Sequence, residues 1–468
     1  MKRLLLTTAA VLAVLSSCSP RLYPPEVETP GHYLHAAGFP QDSSGLGERW
    51  WELFGDRTLD TLVGYALANS PDLAAAAARV EQAQARLGVV RAQYLPQVGL
   101  GIDASGDHTS RTGIVQSYAV EPTLSWEVSL FGALRHTKQA ARAGIASAQW
   151  SLRGVRLALA AQVATGYFTL LEAERNLSIA RETLRLRREQ AALIDSMFRY
   201  GMSDGVALEQ ARSLVHTAEA DLPQYLRAVE QTRLTLAALL GNPPGVLPGD
   251  GDGRMLRIDR YPEEIPVGLP SELLERRPDI MEARFTLRQA AAQAGVARAA
   301  RFPSISLTAR GGVASASISG LTGADPWAWS AAGSLVEPLF AFGKLRRGAR
   351  AGPGRTSRAE RLAVAEYDEA ARNYEQTVYT AFSEVEKALV AIETCREESL
   401  RCRELVAANG RIAVMARALY RSGLSDYLDV IDAERNLYQS QTRLVGLVSQ
   451  QYINYVVLCK ALGGGWER

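Results

Sequence analysis

The 468-residue chain has little histidine, little cysteine, almost no net charge and one short apolar run. Its five histidines are His32, His35, His108, His136 and His216, and none has a carboxylate or cysteine partner at metal-ligand spacing. His32 and His35 offer two ligands at most in a Pro/Gly-rich segment, so no metal site is expected. No Gly-rich loop follows a strand in the way phosphate binding requires, and the serines lack the context of a nucleophile elbow. Catalysis therefore finds no support. With 52 basic against 50 acidic residues the formal charge is +2, and the arginines read as spread over the whole length among carboxylates, which disfavours nucleic acid as a partner. The apolar run covers residues 4–17, shorter than the roughly 20 residues needed to span a bilayer as a helix. No conventional transmembrane helix is expected. Of four cysteines, Cys395, Cys402 and Cys459 fall in helical segments and read as buried apolar fillers. A Cys395–Cys402 disulfide is excluded on spacing, since seven residues along one helix separate them by about 10 Å.

What is present begins at the first residues. Lys2 and Arg3 precede the apolar run, and small residues close it, so residues 1–17 read as an export signal. Leu15-Ser16-Ser17-Cys18 resembles the lipobox of bacterial lipoproteins, which implies acylation of Cys18, and Ser19 in place of aspartate implies sorting to the outer membrane. Residues 18–58, with five prolines before Gln41, read as a lipidated extended leader.

A repeat then organises the chain. Displaced by 207 residues, the sequence places Pro71-Asp72 on Pro278-Asp279, Gly88-Val89 on Gly295-Val296 and Pro96 on Pro303, with 12 identities over 30 positions and no gap. Gly201, Ser203 and Asp204 likewise match Gly423, Ser425 and Asp426. Two copies of one unit are expected, residues 59–241 and 271–463. They are joined by a Gly/Pro-rich linker at 242–270 and followed by a short tail at 464–468.

Each copy has the same plan. An alanine-rich helix comes first, over 71–93 and 278–301, with Pro71 and Pro278 suited to the first turn. Hairpins follow at 97–131 and 304–341. In the first, Val98, Leu100, Ile102 and Ala104 alternate with polar or glycine positions, and after a polar turn at 105–113 the alternation resumes from Tyr118 to Leu130. On pattern alone this is one side of a sandwich or part of a transmembrane barrel. Strands of about 10 to 14 residues in an otherwise helical chain favour the barrel, but four strands cannot close one when the smallest use 8. Several chains would have to build it. The third element runs from Gly132 to Gly201 without proline, and as one helix would be about 100 Å long. Helices of that length lie side by side as coiled coils or tubes. The second copy repeats the plan from Gly343 to Gly423, with a surplus of 11 residues and a Gly352-Pro353-Gly354 break. A loop or kink is expected there.

Together with the lipobox, three motifs make the pattern specific: the stretch 269–280 (LPSELLERRPDI), the stretch 126–132 (WEVSLFG) and the stretch 420–435 (YRSGLSDYLDVIDAER). The whole chain resembles the TolC-type outer-membrane efflux factors, in the lipoprotein branch that serves resistance-nodulation-division pumps. The resemblance implies a homotrimer that closes a 12-stranded outer-membrane barrel and extends a periplasmic α-helical tunnel. It implies passive conduction, no cofactor beyond the lipid on Cys18, and two partners, a periplasmic adaptor and an inner-membrane pump. The turns Gly201, Met202, Ser203, Asp204 and Gly423, Leu424, Ser425, Asp426 are the expected adaptor-contacting tips, although both glycines would also serve as plain left-handed caps. Leu428, Asp432 and Arg435, at i, i+4 and i+7 on one helical face, match the family's periplasmic gate, with Tyr420 a weaker candidate. Without the resemblance, Asp432 reads as a solvated carboxylate paired with Arg435. Trp126, Trp327 and Trp329 are candidates for a membrane-interface belt. The rival readings are a factor for protein secretion or metal efflux and, in another class, a structural coiled-coil lipoprotein.

Overall fold

The computed structural model describes residues 22, 25–36, 39, 47–109, 113–243, 247, 261, 265, 267–323, 325–336 and 358–465. The export signal, Cys18, most of the linker, residues 337–341 of the second hairpin and the Gly352-Pro353-Gly354 segment lie outside the described residues. The elements run in order as a 3₁₀ turn at Trp50–Phe54, α1 (Arg57–Asn69), α2 (Pro71–Ala92), β1 (Gln97–Thr109), β2 (Gly113–Val128), α3 (Ala133–Arg199) and α4 (Gly205–Leu239). The second half continues with α5 (Pro270–Arg276), α6 (Pro278–Ala299), β3 (Ser304–Ser315), β4 (Trp327–Val336), α7 (Arg358–Arg421) and α8 (Tyr427–Ala461). The long helices α3 and α7 have 67 and 64 residues, so the surplus of the second copy falls ahead of Arg358 and not within its helix. Pro223 is accommodated inside α4.

Two compact units divide the chain. In the first, which takes in residues 80–148 and 282–376, the two hairpins join in a single antiparallel sheet of order β1-β2-β3-β4. The β2–β3 pairing, from Tyr118↔Ser315 to Val128↔Ile305, unites the repeats. The polar stretch 105–113 expected to be a turn is mostly strand: β1 and β2 stay paired to Thr109↔Gly113. Backbone pairing sets strand length there, and side-chain polarity does not interrupt it. Pro122 removes a donor from β2, and the β2–β3 ladder skips Glu121 and Pro122 while β1 stays paired with both. Opposite the gap Gly312 lies so close that a Cβ would overlap the Val120 carbonyl oxygen. Within the same unit Phe131 and Phe302, leaving β2 and entering β3, stack at 4.9 Å.

The second unit takes in residues 29–79, 149–281 and 377–468. Its fully or almost fully buried residues include Leu59, Leu62, Val63 and Ala66 of α1, Tyr167 and Leu170 of α3 and Leu458 of α8. A stretch of α3 is apolar enough to cross a membrane, yet 56% of that window is buried within the structure, as in a core helix. The leader is not simply extended. Tyr33, Trp50, Trp51 and Phe54 are buried, and Phe54 lies 5.2 Å from the Phe168 ring, which stacks on Tyr452 at 4.6 Å. Their large apolar rings gain more from burial than the chain gains by staying free. Glu386 of α7 fixes the same segment, accepting the Leu34 amide at 2.6 Å and meeting His35 Nδ1 at 3.0 Å. Asp56 caps α1 by accepting from Thr58 and Leu59 amides, and its other oxygen takes the Tyr167 hydroxyl at 2.7 Å. At the start of the second repeat buried Arg277 donates to Asp279, to Glu384 at 2.6 Å and to the last-turn carbonyl of Ala461 at 2.9 Å. That network accounts for the second arginine of the 269–280 motif, and the first, Arg276, pairs with Glu272 at 3.0 Å.

Candidate functional site

The sheet register turns the sequence alternation into two chemically distinct faces. Val98, Leu100 and Ile102 pair with Leu124, Pro122 and Val120; Trp126, Leu124 and Val120 pair in turn with Leu307, Ala309 and Val313. Ile305, Leu307, Gly311 and Val313 then pair with Leu335, Gly333, Trp329 and Trp327. Because side chains alternate, all of these share one face across four strands. That face is exposed: Val98, Ile102, Trp327 and Trp329 leave about three quarters or more of their surface open. An uncovered apolar sheet of this extent is what a lipid-facing barrel wall requires and what water penalises. The opposite face carries Asp103, Glu121, Thr123, Glu127, Ser306, Thr308 and Arg310, with Ser306 and Ser334 hydroxyls 2.6 Å apart. The three tryptophans sit at two levels. Trp126 is near the helix-linked end of the sheet, its indole donating to the Tyr94 carbonyl at 3.1 Å, while Trp327 and Trp329 open β4 after the β3–β4 connection.

The second unit contains the paired turns. Gly201 and Gly423 both adopt φ +72°, and in each turn the amide one residue later closes back on the helix, Met202 on Met197 at 2.8 Å and Leu424 on Leu419 at 2.9 Å. Only glycine takes this left-handed position without penalty, so the repeat conserves the geometry of its own caps. The returning helices differ. Asp204 accepts the Ala207 amide at 2.7 Å, whereas Asp426 occupies the same N-cap position with no side-chain cap bond.

Behind the turns Ile194, Ala207, Leu208, Ala211, Ala413, Ala416, Tyr427, Val430 and Ala433 form one buried cluster. Tyr420 packs on it with its ring 5.2 Å from Tyr427, and its hydroxyl is 3.2 Å from that of Ser203, so it ties the end of α7 to the first turn. Leu428, Asp432 and Arg435 lie together on the exposed face of α8, away from this cluster, and Asp432 pairs with Arg435 at 2.8 Å. The ion pair foreseen for an isolated helix is therefore present. Its members are half exposed, so it contributes little to stability. Sequence reasoning missed the more buried pair beside it, Arg417 Nε donating to the buried Glu434 at 2.9 Å. Glu434 is only two residues from Asp432, but its partner is on another helix, 17 residues away in sequence. Met202 and Leu424, at equivalent places in the two turns, are both largely exposed. Among the described residues no group of histidine, cysteine and carboxylate is arranged to hold a metal ion.

Comparison with known proteins agrees with this geometry. Residues 62–242 and 269–464 match the model of the outer membrane efflux protein family, one segment for each repeat. The pyoverdine export outer membrane protein OpmQ of Pseudomonas putida is 35% identical over 90% of this chain and 88% of its own. The cation efflux system protein CusC of Escherichia coli is 32% identical over 90% of this chain and 88% of its own. The structure of the outer-membrane channel OprN superposes with a TM-score of 0.86 at 28% identity, covering 96% of this chain and 99% of that one. Duplicated helix–hairpin–helix units, a sheet with one exposed apolar face and paired glycine turns thus place the chain in the outer membrane efflux protein family, as the outer-membrane component of an efflux system.

Proposed function

We propose that three copies of the chain close a 12-stranded barrel and an α-helical tunnel, through which solutes pass passively from a periplasmic adaptor and an inner-membrane resistance-nodulation-division pump. The observation that carries this reading is the sheet: four strands with an exposed apolar face are too few to close a barrel alone, and three sets of four suffice. The protein is not an enzyme in this reading, and its only covalent addition is lipid on Cys18. The cargo stays open to drugs, metals or other small solutes. Relatives of similar identity are named for pyoverdine export and for cation efflux, which supports a conduit whose substrate is chosen mainly by the pump.

The gate lies at the exposed stripe of α8. Threefold repetition of Asp432 around an axis puts three carboxylates in one constriction, where they repel anions and concentrate cations, with Leu428 as the apolar layer beside them. Arg435 neutralises part of that charge within each copy, and Tyr420 holds the turn from behind. The adaptor engages the turns 201–204 and 423–426, where Met202 and Leu424 supply exposed apolar contacts. It opens the gate only by binding the open tip more tightly than the closed one. Efflux complementation tests this directly: a strain lacking the gene should lose resistance to the pump's substrates and regain it with the wild type. Resistance unchanged by the deletion, with adaptor and pump intact, would contradict it.

A further inference from the structure

The near-neutral total conceals a segregation of charge on the helices that adjoin the sheet. No Asp or Glu occurs in residues 128–171 or 283–324, while Arg135, Lys138 and Arg142 fall in the first stretch and Arg284, Arg288 and Arg298 in the second. Arg135, Lys138 and Arg142 recur at i, i+3 and i+7 and therefore share one face of α3. Lys138 Nζ lies 5.5 Å from the centre of the Tyr94 ring, and the Tyr94 carbonyl accepts the Trp126 indole. Trp126 belongs to the sheet's apolar face, so Tyr94 links that face to Lys138 of the basic stripe.

Beside the stripe an open groove of about 490 Å³ runs between α3 and α6, lined by Gln139 and Arg142 on one side and by Phe285, Arg288 and Ala292 on the other. Gly295 permits this approach of the helices, because a Cβ there would come within 2.7 Å of the His136 ring. The Arg288 guanidinium lies 5.0 Å from the Phe285 ring centre. Among the described residues neither Arg142 nor Arg288 has a carboxylate partner, and Glu366, Asp368 and Glu369 of α7 make no ion pair with them. Two unpaired guanidinium groups over an alanine and phenylalanine floor, next to an exposed apolar sheet, complement a ligand that is anionic at one end and apolar at the other.

We propose that this groove seats the phosphate of an anionic phospholipid from the periplasmic leaflet, with the acyl chains lying along the sheet's apolar face. The inference rests on the outer-membrane placement and not on the gate or the adaptor. Its test is native mass spectrometry of delipidated full-length protein in detergent, titrated with phosphatidylglycerol, phosphatidylcholine or inorganic phosphate. Phosphatidylglycerol should be retained about tenfold or more over phosphatidylcholine, the scale expected of one or two cation–headgroup contacts. The variant R142Q/R288Q should lose that preference, R142K/R288K should keep most of it, and each single glutamine variant should lose part. Equal retention of the two lipids overturns the proposal, as does unchanged preference in R142Q/R288Q. Displacement of the lipid by millimolar inorganic phosphate also overturns it, marking a site for free anions. Bilayer conductance of R142Q/R288Q should match wild type, which separates this outcome from failure of the channel reading.

Discussion

At single residues the environment decides what chemistry is left to each side chain. Cys395, Cys402 and Cys459 are free and buried, and burial raises all three thiol pKa values, so the thiolate is scarce. Iodoacetamide at pH 8 should label none of them appreciably in the native protein and all three after denaturation, as read by mass spectrometry. Asp60 shows the same physics with a carboxylate: burial, then the nearby Glu52, raises its pKa, and its Oδ1 is buried without a partner. A raised acid pKa means that the folded state holds the proton more firmly than the unfolded one. Its penalty is therefore absent below the unfolded value near 3.8, grows as pH rises towards the folded value, and persists above it. Asp60→Asn should raise the melting temperature at neutral pH, by on the order of 1–2 °C in a chain of this size, and the gain should vanish in acid. In the sheet, Gly312→Ala forces a Cβ onto the Val120 carbonyl and should cost roughly 1–3 kcal/mol. Gly311→Ala meets only Trp329 Cβ at an ordinary 3.7 Å and should be far milder. Thermal unfolding of the two variants side by side reads the difference.

Among the elements, those with a strong period were legible and those fixed by partners were not. Alternation in residues 97–104 and 118–130 announced β1 and β2, and a proline-free run announced α3, because each signal is local to its element; α7 followed from the repeat. The extra strand at 105–109 was invisible, since Ser105-Gly106-Asp107-His108-Thr109 is turn-like in composition and becomes strand only by pairing with 113–117. The leader was misread for the same reason. Phe54 reveals a fixed segment only when Phe168 and Tyr452 supply the other half of the contact. Glycine turns at 201 and 423 were readable from the repeat, but their unequal caps were not. Asp204→Ala should lower stability by about 1 kcal/mol, as loss of a capping oxygen does, while Asp426→Ala should cost much less. Comparative thermal unfolding checks this. A marked efflux defect in Asp426→Ala, with stability retained, would point to partner contact at that turn.

For the whole molecule, composition was a poor guide on two counts. The absence of a long apolar run described helices and said nothing of a barrel, whose apolar residues occupy every second position of four strands. The total of +2 likewise suggested evenly mixed charge, whereas the helices next to the sheet carry arginines in stretches of 44 and 42 residues that hold no carboxylate. Both patterns emerge only after residues are sorted by element and face. The proposed gate residues were nameable because the 420–435 motif resembles a family, not because Leu428, Asp432 and Arg435 announce a pore by themselves. Their proposed role is best tested by single-channel conductance of the purified protein in planar bilayers. Wild type should give small or rare openings, and the variant D432A/R435A should conduct with a larger, steadier current. A protein that never conducts, wild type or variant, would contradict the channel account.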